Sequence, residues 1–169
     1  VLCWGWNSAG QLGDNSIIDK AIPVPSNISI LVSDHFISLS LGAAHSCGLT
    51  ANGKVFCWGF DSYGQLGNNE EIMDKYAPTL VPLPLGVSSF TSVVAGKYHS
   101  CALSDGGKVF CWGRDNNGQL GNDVQLLSKP TPQPINMTNY GNEIFQKIYS
   151  GDYHTCGITQ SGNSYCWGD

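Results

Sequence analysis

The sequence predicts an all-β fold built from repeats, each a propeller blade of short antiparallel strands, and three observations carry that prediction. A Cys-Trp-Gly triplet recurs at Cys3, Cys57, Cys111 and Cys166, spaced 54, 54 and 55 residues apart, and Gly-Gln-Leu-Gly follows each of the first three. Self-similarity at a fixed period of this length marks a repeat architecture. Each unit holds about four short strand-like segments, the content of one propeller blade. Twenty-one Gly and eight Pro, with few stretches of helical period, favour short strands and tight turns.

The elements follow in order. Val1-Leu2-Cys3-Trp4 corresponds to Val55-Phe56-Cys57-Trp58, so residues 1–13 read as a partial blade and the chain as a segment of a longer protein. Repeat units follow at about 37–91, 92–145 and 146–169, the last incomplete. In the second of these, residues 92–95, 98–104 and 108–113 read as successive strands and 114–121 as a loop. A Pro-rich stretch, 128–137, then supplies an edge strand, because Pro130, Pro132 and Pro134 cannot donate to a central ladder. Residues 145–149 open the next unit.

A second phrase opens each repeat: Gly42-Ala43-Ala44-His45-Ser46-Cys47, Gly96-Lys97-Tyr98-His99-Ser100-Cys101 and Gly151-Asp152-Tyr153-His154-Thr155-Cys156. Its Cys lies ten residues before the Cys of the next Cys-Trp-Gly, which pairs Cys47 with Cys57, Cys101 with Cys111 and Cys156 with Cys166. The segments between read as hairpins closed by a three-residue loop ending in Gly53, Gly107 or Gly162 in the left-handed conformation. That register sets each pair of cysteines directly across the hairpin, close enough for a disulfide. Closing so short a loop stabilises by about 2.5–3 kcal/mol. Two alternatives stay open: a zinc site on His45, Cys47 and Cys57, which matches no common ligand spacing, and reduced, buried thiols in a cytosolic protein. Cys3 has no partner, because its repeat mate falls before Val1.

Charge and hydropathy remove whole classes of function. Eight basic against thirteen acidic residues give a net charge of −5 with only 12% charged residues, so no basic stripe is available to nucleic acid. No apolar run reaches the length of a membrane span, the longest being broken by Pro23, Pro25, Pro82 and Pro84. Two Asn-x-Ser/Thr sequons occur, at Asn27 and Asn136. Chance alone supplies about two in a chain of this composition. Both fall in the variable stretch after Gly-Gln-Leu-Gly, where an exposed loop could carry a glycan.

The phrases at 95–103, 107–113 and 117–121 resemble repeats of the regulator of chromosome condensation family, and the resemblance spans essentially the whole chain. It implies a β-propeller, usually seven-bladed, of which this chain would form about three blades. The paired cysteines make the chain similar to a branch found in secreted bacterial proteins, protist surface proteins and plant receptor ectodomains. The family's best-known activity is guanine-nucleotide exchange on a small GTPase.

Recurring residues are expected to be scaffold. Trp4, Trp58, Trp112 and Trp167 should pack between blades, and His45, His99 and His154 should each hold a loop by a hydrogen bond. No cofactor or metal site, and no unique reactive constellation, is expected from a phrase present in three copies. Binding should lie where repeats differ: Trp6, Phe60 and Arg114 directly after Trp-Gly, and Tyr63 in the loop beyond. These readings predict a non-enzymatic, extracellular or cell-surface scaffold whose partner is a protein or copies of itself, with glycans possible, in a structural or filamentous assembly. An exchange-factor-like binder of a small GTPase and a carbohydrate-binding propeller are the alternatives.

Overall fold

The computed structural model describes residues 1–27, 34–70, 72–123, 128–141 and 143–169. Among the described residues thirteen strands fall into four antiparallel sheets, each running outward in chain order. The first sheet pairs β1 (Leu2–Gly5) with β2 (Lys20–Pro25). Two full blades follow. One consists of β3 (Phe36–Leu41), β4 (His45–Thr50), β5 (Val55–Gly59) and β6 (Lys75–Leu80). The other consists of β7 (Phe90–Ala95), β8 (His99–Ser104), β9 (Val109–Gly113) and β10 (Lys129–Pro134). A three-stranded sheet of β11 (Phe145–Ser150), β12 (His154–Thr159) and β13 (Ser164–Gly168) completes the described chain. No helix among the described residues is long and apolar enough to cross a membrane.

The hairpin register follows from the turn chemistry. Gly53, Gly107 and Gly162 take φ of 72°, 72° and 88°, the left-handed conformation that ends a three-residue loop. Cys47, Cys101 and Cys156 therefore face Cys57, Cys111 and Cys166 across the ladder. Each pair is joined by a disulfide with Cα atoms 4.1 Å apart. Cys3 is free and partly exposed. The zinc alternative loses its ligands here, since the sulfurs are bonded to one another. The alternating prolines lie where a missing donor costs least: β10 is the outer edge of its sheet, pairing only with β9.

The core lies between blades rather than within one. Cys47, Leu49, Val55 and Cys57 of one blade cluster with Phe90, Val93, Phe110 and Trp112 of the next. Cys101, Val109 and Cys111 cluster in turn with Phe145 and Ile148. A cystine and its flanking apolar side chains on one sheet are thus covered by the inner strand of the following sheet together with side chains of its third strand. Trp58 and Trp112 are fully buried, as expected of blade-packing residues. Trp4 departs from that expectation: it is 61% exposed, because no other blade covers β1 on that side among the described residues.

Candidate functional site

The recurring phrases form one interlock, repeated from blade to blade. The main-chain carbonyl of Gln11 accepts from the Trp58 indole (2.9 Å) and the Ser46 hydroxyl (2.8 Å) of the next blade. Gln65 repeats this with Trp112 and Ser100, both at 2.9 Å, and Gln119 takes the Trp167 indole at 3.0 Å. One carbonyl with two lone pairs therefore anchors two side chains. A methyl group added to Gly67 would lie 2.4 Å from the Trp112 indole nitrogen, and the backbone there has φ +66°, so sterics and conformation both demand glycine.

The histidines do a different job from the loop-holding one expected of them. His45 Nε2 lies 3.0 Å from Ser100 Oγ, and His99 Nε2 lies 2.9 Å from Thr155 Oγ1, each bond crossing to the following blade. Ser100 already donates to Gln65, which leaves His45 Nε2–H as donor and Nδ1 as a buried lone pair without a partner. Burial, aided by the neighbouring histidine, lowers the pKa of His45 to about 3 and that of His99 to about 4. These imidazoles are neutral latches between blades. The loop after each of the first three Trp-Gly pairs is tied down by its acidic or amide residue: Asn7, Asp61 and Asp115 accept from the main-chain N–H of Leu12, Leu66 and Leu120 respectively. Burial raises the Asp61 pKa to about 6 and raises that of Asp115 as well.

With the recurring residues of the two full blades buried, several of the variable ones are left together on one face. The main-chain N–H of Phe60 donates to Ala44, that of Arg114 to Tyr98 and that of Asp169 to Tyr153. The residue after Trp-Gly is thereby fixed beside the residue before His. Phe60, Tyr63 and Tyr98 form a cluster with ring centroids 6.3, 6.2 and 5.3 Å apart. The Arg114 guanidinium sits 5.2 Å from the Tyr63 ring and 5.7 Å from Tyr98. Lys97 Nζ lies 5.7 Å from Tyr98 and 5.2 Å from Tyr153, and a hydrogen bond to Tyr153 holds its pKa above the usual lysine value. Four aromatic rings and two cations thus run in an unbroken row across three blades, all partly exposed.

Of the four sequence-derived candidates, Phe60, Tyr63 and Arg114 converge here. Trp6 does not. It is 58% exposed and lines a separate cleft of about 410 Å³ with Trp4, Leu39 and Leu41. Lys97, Tyr98 and Tyr153 are the members that sequence reasoning missed. Their signal was present, since the two positions between Gly and His vary as much as the loop after Trp-Gly: Ala-Ala, Lys-Tyr and Asp-Tyr. Asn27 and Asn136 are both exposed, although Ile28 and Ser29 of the first sequon lie outside the described residues.

Comparison with known proteins places these features in a lineage. The model of the regulator of chromosome condensation (RCC1) repeat matches residues 1–49, 52–103 and 106–158. The human protein named probable E3 ubiquitin-protein ligase HERC6 is 34% identical over 169 residues, covering 100% of this chain and 16% of that protein. Prp20p of Saccharomyces cerevisiae, a structure described with its binding to Gsp1p and histones, superposes with a TM-score of 0.82 at 21% identity, covering 99% of this chain and 41% of that one. The ectodomain of the Arabidopsis thaliana receptor kinase ACR4 superposes with a TM-score of 0.52 at 27% identity, covering 90% and 42%. The ligase corrects the expectation of a non-enzymatic protein. Repeats of this kind occur within polypeptides named as enzymes, and the match covers about a sixth of such a polypeptide, so scaffold-like repeats are no argument against enzymatic activity elsewhere in the same protein. With its architecture, its period and its repeat motifs all in agreement, the chain belongs to the regulator of chromosome condensation (RCC1) repeat family.

Proposed function

We propose that this chain is an extracellular protein-interaction scaffold whose disulfide-stapled blades present the row of Phe60, Tyr63, Tyr98, Arg114 and Lys97 to a protein partner. The observation that carries the reading is the division of labour between positions. In the two full blades the recurring residues are consumed by the interlock, and variable residues of three successive blades, Trp6 excepted, gather on one surface. Tyr and Arg are the side chains that most often dominate binding energy at interfaces. One disulfide in each of three blades suits an oxidising compartment, and the resemblance to a receptor ectodomain points the same way.

Non-reducing peptide mapping of the protein from its native source tests the compartment. Bonded cysteine pairs, with glycan on Asn27 or Asn136, are the expected result. Free thiols throughout would overturn the extracellular reading and favour an intracellular one, in which the blades bind a small GTPase. Partner capture compared between the native chain and one carrying Phe60→Ser and Tyr63→Ser tests the face. Equal capture by the two would overturn its role.

A further inference from the structure

Neither cation in the row of rings has an ion-pair partner among the described residues, and Arg114 is the more confined of the two. Arg114 is the only arginine among the 169 residues. The two ion pairs among the described residues, Lys20–Asp14 at 3.2 Å and Lys75–Glu70 at 2.6 Å, lie elsewhere. The guanidinium instead lies against the edge of the Tyr63–Tyr98 pair, 5.2 Å from one ring and 5.7 Å from the other, and its Nε is buried without a hydrogen-bond partner. Neither nearby carboxylate pairs with it. Asp115 is only 1% exposed, accepts from the Leu120 N–H through Oδ1 and leaves Oδ2 without a partner, while Asp169 accepts from the Asn117 side chain at 3.2 Å.

A guanidinium held against two rings has already lost much of its rotamer freedom, so less ordering remains to oppose binding. Its planar fork matches a carboxylate, which can take two parallel N–H···O bonds. Lys97 shares the Tyr98 ring and adds a second positive charge on the same side. The rest of the chain is acidic, with net charge −5. A long polyanion would be repelled beyond the patch, whereas one or two carboxylates would not. Beside the guanidinium, Phe60 and Tyr63 meet edge to face and present apolar ring surface.

We propose that this face binds an acidic peptide segment of a partner protein, with an Asp or Glu side chain received by Arg114 and an adjacent apolar side chain packed on Phe60 and Tyr63. The proposal rests on the reading of the face as a protein-interaction surface and supplies its chemistry.

A phage-displayed random dodecapeptide library selected on the folded, disulfide-bonded chain tests it. Enriched peptides should carry Asp or Glu next to a Leu, Phe or Trp. Arg114→Gln should weaken those peptides by about tenfold or more, while the control Lys20→Gln should change binding by no more than about twofold. Arg114→Lys, which keeps the charge and loses the fork, should recover only part of the affinity. Changing the peptide's own Glu to Gln should cost about as much as Arg114→Gln, with little further loss when the two are combined. Unchanged thermal melting of each variant keeps the readout on binding. Enriched peptides without acidic residues, sensitive to Phe60→Ser but not to Arg114→Gln, would overturn the acidic-segment proposal and leave the interaction face standing. No peptide at this face, or self-association of the chain abolished by Arg114→Gln, would overturn the proposal as well.

Discussion

Trp112 and Trp4 occupy the same place in the repeat and have opposite surroundings. Trp112 follows Cys111 in β9, is 0% exposed, bonds to the Gln65 carbonyl and packs against Cys47, Leu66 and Phe90. Trp4 follows Cys3 in β1 and is 61% exposed. The same contrast separates His99, fully buried beneath Thr155, from His154, which is exposed. A repeat unit therefore does not bury its own signature residues; the neighbouring blade does. Stability in this chain resides in blade-to-blade contacts, as in other repeat proteins where interfaces contribute a separate energy term.

The widest test of that contrast is truncation of the two tryptophans. Trp112→Ala should destabilise the chain by about 3–5 kcal/mol in urea unfolding, the usual cost of emptying a fully packed aromatic site. Trp4→Ala should cost under about 1 kcal/mol, since exposed substitutions rarely do more. Equal costs would place the stabilisation inside each unit rather than between units.

Acid should act on the interior more than on the ends. His45 and His99 have folded pKa values of about 3 and 4 against an ordinary 6.5. Depressed values mean that the unfolded chain takes up protons first, so stability is complete above about pH 6.5 and falls as pH drops. By pH 5 each imidazole costs roughly 2 kcal/mol. Asp61 opposes this. Its pKa is raised to about 6, so its charged form is disfavoured in the fold above that pH and the cost is relieved on acidification. The net loss between pH 7 and pH 5 should be roughly 2–3 kcal/mol. Asp61→Asn, which installs the residue that the first repeat carries at Asn7, should stabilise the chain by about 1–2 kcal/mol at pH 8, do little at pH 4 and steepen the acid loss. A pH-independent unfolding midpoint between 5 and 7 would contradict the latch assignment.

Disulfide reduction sharpens the comparison further. Cys101–Cys111 and Cys47–Cys57 are fully buried, whereas Cys166 is exposed and Cys156 partly so. Mild reductant under native conditions should open Cys156–Cys166 first, and the two inner bridges only as the blades separate, because thiolate attack needs access to sulfur. Alkylation followed by peptide mapping would give the order directly. Glycine substitutions give a local version of the same comparison. Gly67→Ala should cost about 1–3 kcal/mol through positive φ and contact with Trp112. Gly162→Ala, at φ +88° with open space around it, should cost less by the steric part alone.

The period, the succession of strands within a blade and the hairpin register were all legible in the residues, and that register set the cysteines opposite one another without deciding whether they were bonded. All of these are local or repeat at fixed spacing, and local geometry is encoded in turn glycines, alternating prolines and apolar runs. The edge placement of the strand holding Pro130, Pro132 and Pro134 was legible because a missing N–H has few places to go. Tertiary structure alone decided the pairings between repeats. His45 meets Ser100 and Trp112 meets Gln65 across separations of about fifty residues, and nothing in the spacing of either phrase specifies which neighbour completes it. The same holds for the face. Arg114 meets Tyr98 within one blade, but both reach Tyr63 only because that blade's Gly-x-x-His turn lies beside the preceding blade's loop. Contacts within a strand pair follow from chain connectivity, but contacts between sheets follow from how twisted sheets pack, and that is a property of the assembled fold.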